Sequence, residues 1–256
     1  MTLRVSGLTD TGMKRTHNED FLYVPDDERL VVVADGMGGH ASGDVASRMA
    51  VETVVEFFAA SVLDRDITWP FAFDRENRRQ ENRLITGIKL ANLKIFESAQ
   101  RDSRRQGMGT TIVAGIFCDD DIILAHVGDS RIYRLRDGAL TQLSEDHSLL
   151  NDYIKMKRIT PEDAENFPHK NVIVRALGMK DTAAVDHQRQ APRLGDMYLF
   201  CSDGLSGMLS DDEILRIVMA SSIDLDRACL QLIEAANKAG GVDNITVALA
   251  SLDGGG

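Results

Sequence analysis

The stretch "RLVVVADGMGGHASG" (residues 29–43) sets an apolar run, Leu30 to Ala34, directly before Asp35 and a glycine-rich turn. A helix is expected from near Asp44. Strand, glycine turn and helix in that order can cradle a nucleotide phosphate, and Gly36, Gly38 and Ala41 satisfy G-x-G-x-x-[GA]. The loop therefore holds either a phosphate through its backbone or a metal ion through its aspartate.

The phosphate reading fails on charge and connectivity. A carboxylate at Asp35, immediately before the first glycine, repels a pyrophosphate docked there. The following helix does not lead into a second parallel strand with a ribose-binding acid. A Walker loop needs Lys and Ser or Thr after its last glycine, whereas Gly43 is followed by Asp44 and Val45.

Three further acids share the context of Asp35. Asp129 follows "ILAHVG", Asp203 follows "YLFCS", and Asp243 precedes "NITVALA". In an antiparallel sheet the end of one strand and the start of its neighbour share an edge, so all four carboxylates can converge there. Asp-Gly is also a common turn dipeptide, and Asp137-Gly138 is read as a plain hairpin turn. The four acids differ from Asp137 in their glycines and small neighbours: "DGMGG", "GDS", "SDG" and "GGVDN". Clustered carboxylates need cations or protons to relieve their repulsion. An all-oxygen set suits Mg2+, Mn2+ or Ca2+ rather than zinc.

Working outward, apolar residues at helical spacing mark Val45, Met49, Val54, Phe57 and Phe58 as the inner face of the first helix. A second helix is expected over roughly Ile85 to Gln100. Between them, residues 64–83 read as an exposed, charged connection with a small apolar tether of Trp69, Phe71 and Phe73. From Thr110, "TTIVAGIFC", "DIILAHVG", "SRIYRLR" and "LTQL" read as an antiparallel meander. After a polar segment, "MYLFCSD" is a strand leading to two helices. Ser210 with Glu213 caps the first, and a stripe from Leu225 to Ala236 marks the second. "NITVALASL" closes the chain as a strand. Without alternating βαβ units, the order argues for antiparallel sheets covered by helices, an α+β class.

A chain of 256 residues can bury a substantial core. Its net charge of −11 argues against a nucleic-acid surface and against anionic membranes. No apolar run is long enough to span a bilayer and no signal pattern opens the chain, so a cytoplasmic location is expected. Cys118, Cys201 and Cys229 form no C-x-x-C pair and read as free buried thiols. His126, on a strand pattern, reads as a satisfied core residue, and His40 as a structural loop residue.

Six motifs in order, "TGMKRTHNEDF", "VVVADGMGGHASGDVAS", "GMGTT", "AHVGDSRIYR", "LFCSDGL" and "GGVDNITV", resemble the metal-dependent protein phosphatases (PPM, type 2C) in their small bacterial form. The resemblance runs from about Gly7 to Ser251. It implies a four-layer α/β/β/α sandwich forming a single phosphatase catalytic domain over 1–256, with a variable flap at about 147–175 that includes His147. It also implies a binuclear Mn2+ or Mg2+ centre, with Asp35 bridging the ions, the Gly36 carbonyl completing one, and Asp203 and Asp243 binding the other. Asp129 with Asp203 matches a third, weaker metal site. Glu19 and Asp20 line the same place, and Arg15 matches the arginine that holds the substrate phosphate. A hydroxide bridging the metals would then hydrolyse phosphoserine or phosphothreonine without a covalent intermediate.

Many eukaryotic relatives carry a histidine, the supposed general acid, where this chain has Met37, so a metal-bound water is the expected proton donor. The implied partners are phosphorylated proteins and a bacterial Ser/Thr kinase that the enzyme opposes, the enzyme itself being a monomer. An inactive phosphoprotein- or metal-binding scaffold and an enzyme for other phosphomonoesters are the alternatives. Against the first, all four core aspartates are present.

Overall fold

The computed structural model describes residues 1–24, 29–38, 42–63, 70–71, 74–160, 163, 167, 169 and 172–254. His40, Trp69 and Phe73 lie outside the described residues. In chain order the elements are β1 (Thr2–Asp10), β2 (Asp20–Tyr23), β3 (Leu30–Met37), α1 (Gly43–Leu63), α2 (Arg79–Arg101), β4 (Gly109–Thr110), β5 (Ile112–Phe117), β6 (Ile122–Val127), β7 (Arg131–Arg136) and β8 (Ala139–Gln142). They continue with α3 (Leu149–Lys155), β9 (Asp186–Gln190), β10 (Met197–Cys201), α4 (Asp203–Ser206), α5 (Asp211–Ala220), α6 (Leu225–Lys238) and β11 (Ile245–Asp253).

Two sheets result, and their pairings are antiparallel. One runs β1-β11-β10-β7-β8; the other runs β2-β3-β5-β6-β9, with β4 beside β3. Side-chain alternation explains the layering. Along β3, Val31 and Val33 meet Val113, Tyr198, Phe200 and Ala248 between the sheets. Leu30, Val32 and Ala34 face the opposite way, against Ala46, Ala50, Ile88 and Ile95 of α1 and α2. The outer face of the other sheet packs Leu199, Cys201 and Val247 against Ile214, Cys229 and Leu232 of α5 and α6. Each sheet is buried on both faces, which is why the central strands are continuous apolar runs. This is the expected helix–sheet–sheet–helix sandwich.

Several local expectations hold. Asp137 and Gly138 make the β7–β8 hairpin turn at φ +52° and +74°. Ser210 and Glu213 cap α5 reciprocally. The α6 stripe is buried, and the three cysteines are free, with Cys118 only partly buried.

Others do not. The meander is broken after β6: β5 and β6 pair in one sheet, whereas β7 and β8 belong to the other. The "GDS" break is a crossing between sheets. Helix α2 starts at Arg79, inside the stretch read as an exposed connection. Glu81 accepts from the Arg78 amide, and buried Arg83 stacks 3.9 Å over Phe58 while donating to Ser61 Oγ. Glu81 and Arg83 are packed rather than solvated, whereas Asp74, Arg75, Glu76, Arg78 and Arg79 are exposed as expected of the connection. The buried face of α1 is Ala46, Ala50, Val51, Val54 and Phe57; Val45, Met49 and Phe58 sit at its margins.

Candidate metal centre

At one end of the sandwich, β3, β6 and β10 finish while β2, β7 and β11 begin. Asp20 and Asp35 face each other across the β2–β3 ladder. Asp35 continues the between-sheet parity of Val31 and Val33, so its side chain enters the gap between the sheets. Asp129 lies on the sheet-to-sheet crossing, Asp203 opens α4, and Asp243 precedes β11. The structure thus brings Asp20, Asp35, Asp129, Asp203 and Asp243, all expected at the centre, to one place.

The electrostatics of that place are unfavourable for anions. Burial, with the nearby charges of Asp20, Asp203, Asp129 and Asp243, raises the Asp35 carboxyl well above the usual carboxylate range. Asp203 is raised by burial and by Asp243, and a hydrogen bond with Asp35 partly offsets this. Burial pushes Asp20 up to about 7, despite hydrogen bonds from Thr246 and Ser202. Asp129 is likewise pushed to about 7 by burial and the charge of Asp203. Asp20 Oδ1 and Asp129 Oδ1 are buried without a hydrogen-bond partner. An orphaned buried acceptor costs about 1–3 kcal/mol, and a divalent cation relieves both the orphans and the repulsion. The donor set fits a hard cation.

Neutral side chains hold the acids in place. Asp20 Oδ2 accepts from Ser202 Oγ at 2.8 Å and Thr246 Oγ1 at 2.6 Å, which ties the two sheets together. Thr111 donates its amide to Asp35 O at 2.8 Å, and its hydroxyl is hydrogen-bonded to Ser130 Oγ at 2.6 Å. Asn244 accepts from the Glu19 amide at 2.8 Å and donates to Thr11 O and His17 O, fixing the segment that carries Arg15 and Glu19. Glu19 Oε1 in turn accepts from the Gly43 amide at 3.2 Å. These supports were not picked from the sequence, although Thr111, Ser202, Asn244 and Thr246 all fall inside the quoted motifs. Gly36 is required sterically: a Cβ there would collide with Gly43 O and Glu19 O.

Arg15 stands at the rim, with Nη2 2.7 Å from Asp243 Oδ2. Its pKa is raised chiefly by that hydrogen bond, with added pull from Asp243, Glu19 and Asp35. Met37 ends β3 and pairs with Gly109, offering no proton donor. A second titratable group lies farther along β6: ligand atoms of His126, His147 and Asp186 all fall within 4.8 Å of one another, spacing that could hold a metal ion. His126 is satisfied as expected, its Nε2 set against the Glu145 backbone.

Residues 13–242 match the family model for Protein phosphatase 2C. The chain belongs to the protein phosphatase 2C family. Within it, the chain is similar to the protein phosphatase PhpP of Streptococcus pneumoniae, at 40% identity over 255 residues covering 98% of each chain. It is also similar to the serine/threonine phosphatase PstP/Ppp of Mycobacterium tuberculosis, whose crystal structure superimposes with a TM-score of 0.86 at 35% identity, covering 99% of this chain and 100% of that one. A further structure, the catalytic domain of PstP in complex with two manganese ions, matches with a TM-score of 0.80 at 36% identity, covering 98% and 99%. Like these protein phosphatase 2C relatives, the chain is an enzyme of the serine/threonine protein phosphatase class.

Proposed function

We propose that this phosphatase hydrolyses phosphoserine and phosphothreonine esters in proteins with two Mn2+ or Mg2+ ions held by Asp35, the Gly36 carbonyl, Asp203 and Asp243. A third, weaker ion is assigned to Asp129 and Asp203, with Glu19 and Asp20 lining the centre. The observation that carries this reading is the convergence of five carboxylates at one sandwich edge, two of them with orphaned buried oxygens. The PstP structure with two manganese ions supports the same number of tight ions.

When bound, the ions supply charge neutralisation of the phosphomonoester dianion and an acidified water as nucleophile. The chain's own residues do the rest. Asp20, locked by Ser202 and Thr246, and Asp35, held through its backbone by Thr111, keep the carboxylates together without reorganisation. Arg15 presents a planar fork at the rim that grips two phosphate oxygens, and its attraction to Asp243 keeps it there between substrates. No cysteine serves as nucleophile: Cys201 and Cys229 are buried, and burial raises Cys118 as well. Since Met37 has no proton to give, the leaving alkoxide takes its proton from water.

The enzyme works on phosphorylated proteins, opposing a Ser/Thr kinase in the cytoplasm, as a monomer. No helix among the described residues is long and apolar enough to cross a membrane. The test is hydrolysis of p-nitrophenyl phosphate. Turnover is expected to require added Mn2+ or Mg2+, to stop with EDTA, and to vanish in Asp35→Ala and Asp203→Ala. Metal-independent turnover, or full activity in Asp35→Ala, overturns the mechanism. Phosphoserine, phosphothreonine and phosphotyrosine peptides then rank the substrates.

A further inference from the structure

His126, His147 and Asp186 are spaced like metal ligands, but their hydrogen bonds assign them another task. The Gly128 amide donates to His147 Nδ1 at 3.0 Å, so that nitrogen carries no proton. In the neutral ring the proton is then on Nε2, which lies 3.2 Å from Asp186 Oδ2. Burial favours this neutral ring by lowering the His147 pKa. Arg175 Nη1 donates to Asp186 Oδ1 at 2.8 Å; with Nε2 protonated, its 3.1 Å approach to that nitrogen is no hydrogen bond, and it places a cation where a metal ion would have to bind. The buried ring of His126 stacks on His147 at 4.9 Å between centroids.

The lock joins two regions that the chain separates. On one side, His147 also donates its own amide to Gly128 O at 2.9 Å, so both backbone polar groups of Gly128 are bound to one residue. Gly128 sits at φ +113°, and a Cβ there would fall 2.6 Å from Thr111 Cβ. Its conformation therefore sets where the next residue, Asp129, points. On the other side, His147 O accepts from the Val174 amide at 2.9 Å, and Arg175 follows next in the same returning stretch. Ser148 bridges to Ile173, and Leu177 bridges to Thr110 beside Asp35. The segment from Ser148 to Leu177 is thus fastened at its base through His147.

We propose that His147, oriented by Asp186 and Arg175, is a positioning residue that couples the 148–177 segment to the Asp129 loop, so that contacts on this segment set how well Asp129 takes a cation. The proposal rests on the reading of Asp129 as the ligand of the weaker ion. It gives the segment a route to catalysis that does not require it to touch the reacting atoms: a protein substrate leaning on the segment tightens the Asp129 site, whereas a small phosphate ester does not.

A double-mutant cycle in the full chain tests this, with Asp186→Ala, Asp129→Ala and the pair. Asp186 is half-exposed, so its removal leaves the core intact; Asp186→Asn, which keeps an acceptor for His147, is the conservative control. The readouts are the Mn2+ concentration for half-maximal turnover, and KM for a phosphothreonine peptide against p-nitrophenyl phosphate. Asp186→Ala is expected to raise the Mn2+ requirement roughly tenfold, as loss of an orienting partner does at metal sites, with Asp186→Asn recovering much of it. Peptide KM rises while KM for the small ester holds. In the Asp129→Ala background, Asp186→Ala adds nothing further.

If Asp129→Ala shifts the Mn2+ requirement but the two effects simply add, the reading of Asp129 stands and the coupling through His147 is overturned. If Asp129→Ala leaves the requirement at the wild-type value, the ligand reading fails and takes the proposal with it. Calorimetry in which Asp186→Ala removes a bound Mn2+ from the Asp129→Ala protein makes the His126–His147–Asp186 group a metal site itself and overturns the lock.

Discussion

Arg15 and Asp243 form an ion pair whose side chains are 48% and 32% exposed, so the pair contributes little to stability. Its value lies in holding a planar guanidinium beside the carboxylate cluster. Arg15→Ala is expected to raise KM for a phosphopeptide and lower turnover, together costing roughly 10- to 100-fold in kcat/KM, with the melting temperature nearly unchanged. Arg15→Lys recovers little of this, because an ammonium cannot grip two oxygens in one plane. Steady-state kinetics beside a thermal melt checks both halves; recovery by lysine would show that charge alone suffices. The acidic residues were legible because carboxylates beside glycines at strand ends form a visible pattern. Their supports were not. Thr111, Ser202, Thr246 and Asn244 read as ordinary strand residues, since a polar side chain's partner is fixed only by the packing of one sheet on the other.

At the level of elements, the crossing from β6 to β7 decides where Asp129 lands. The sequence shows a strand, "GDS" and another strand, which satisfies the pattern of a hairpin equally well. What separates the two outcomes is that β7 pairs with β10, more than sixty residues downstream, a register that no local period encodes. Charge hid the start of α2 for a related reason. Glu81 and Arg83 look solvated in sequence, but Arg83 is 4% exposed and lies over Phe58. Gly128→Ala probes the crossing. It places a side chain at φ +113° and 2.6 Å from Thr111, so strain and crowding together should cost about 2–4 kcal/mol. Urea denaturation should show a lower midpoint at unchanged slope. A midpoint equal to wild type would mean that the crossing relaxes freely and does not fix Asp129.

Across the whole molecule, the sandwich is assembled around a concentration of negative charge that the metal-free fold tolerates poorly. Asp20 and Asp129 move from 3.8 to about 7 on folding, and Asp35 and Asp203 move in the same direction. A carboxyl whose pKa is raised in the folded state binds more protons folded than unfolded between those limits. Its contribution therefore falls as pH rises from about 4 through about 7. His126 and His147, both lowered from 6.5 by burial, act oppositely, adding stability as pH rises towards that value. The terms separate by substitution: Asp35→Asn removes one raised carboxyl and leaves the histidines alone. Metal-free Asp35→Asn should melt above metal-free wild type at pH 7.5 by at least roughly 2–4 °C, the shift that 1 kcal/mol produces at this size. The gap should close towards pH 3, below the ordinary value of 3.8, where the wild-type carboxyl is mostly protonated in both states. Added Mn2+ should reverse the order at pH 7.5, because an ion that binds only the folded wild-type centre stabilises it by mass action. Differential scanning calorimetry at three pH values, with and without Mn2+, reads all of this. An Asp35→Asn protein less stable than wild type without metal would mean that Asp35 holds the fold together, and that the repulsion at this edge is not what the cations relieve.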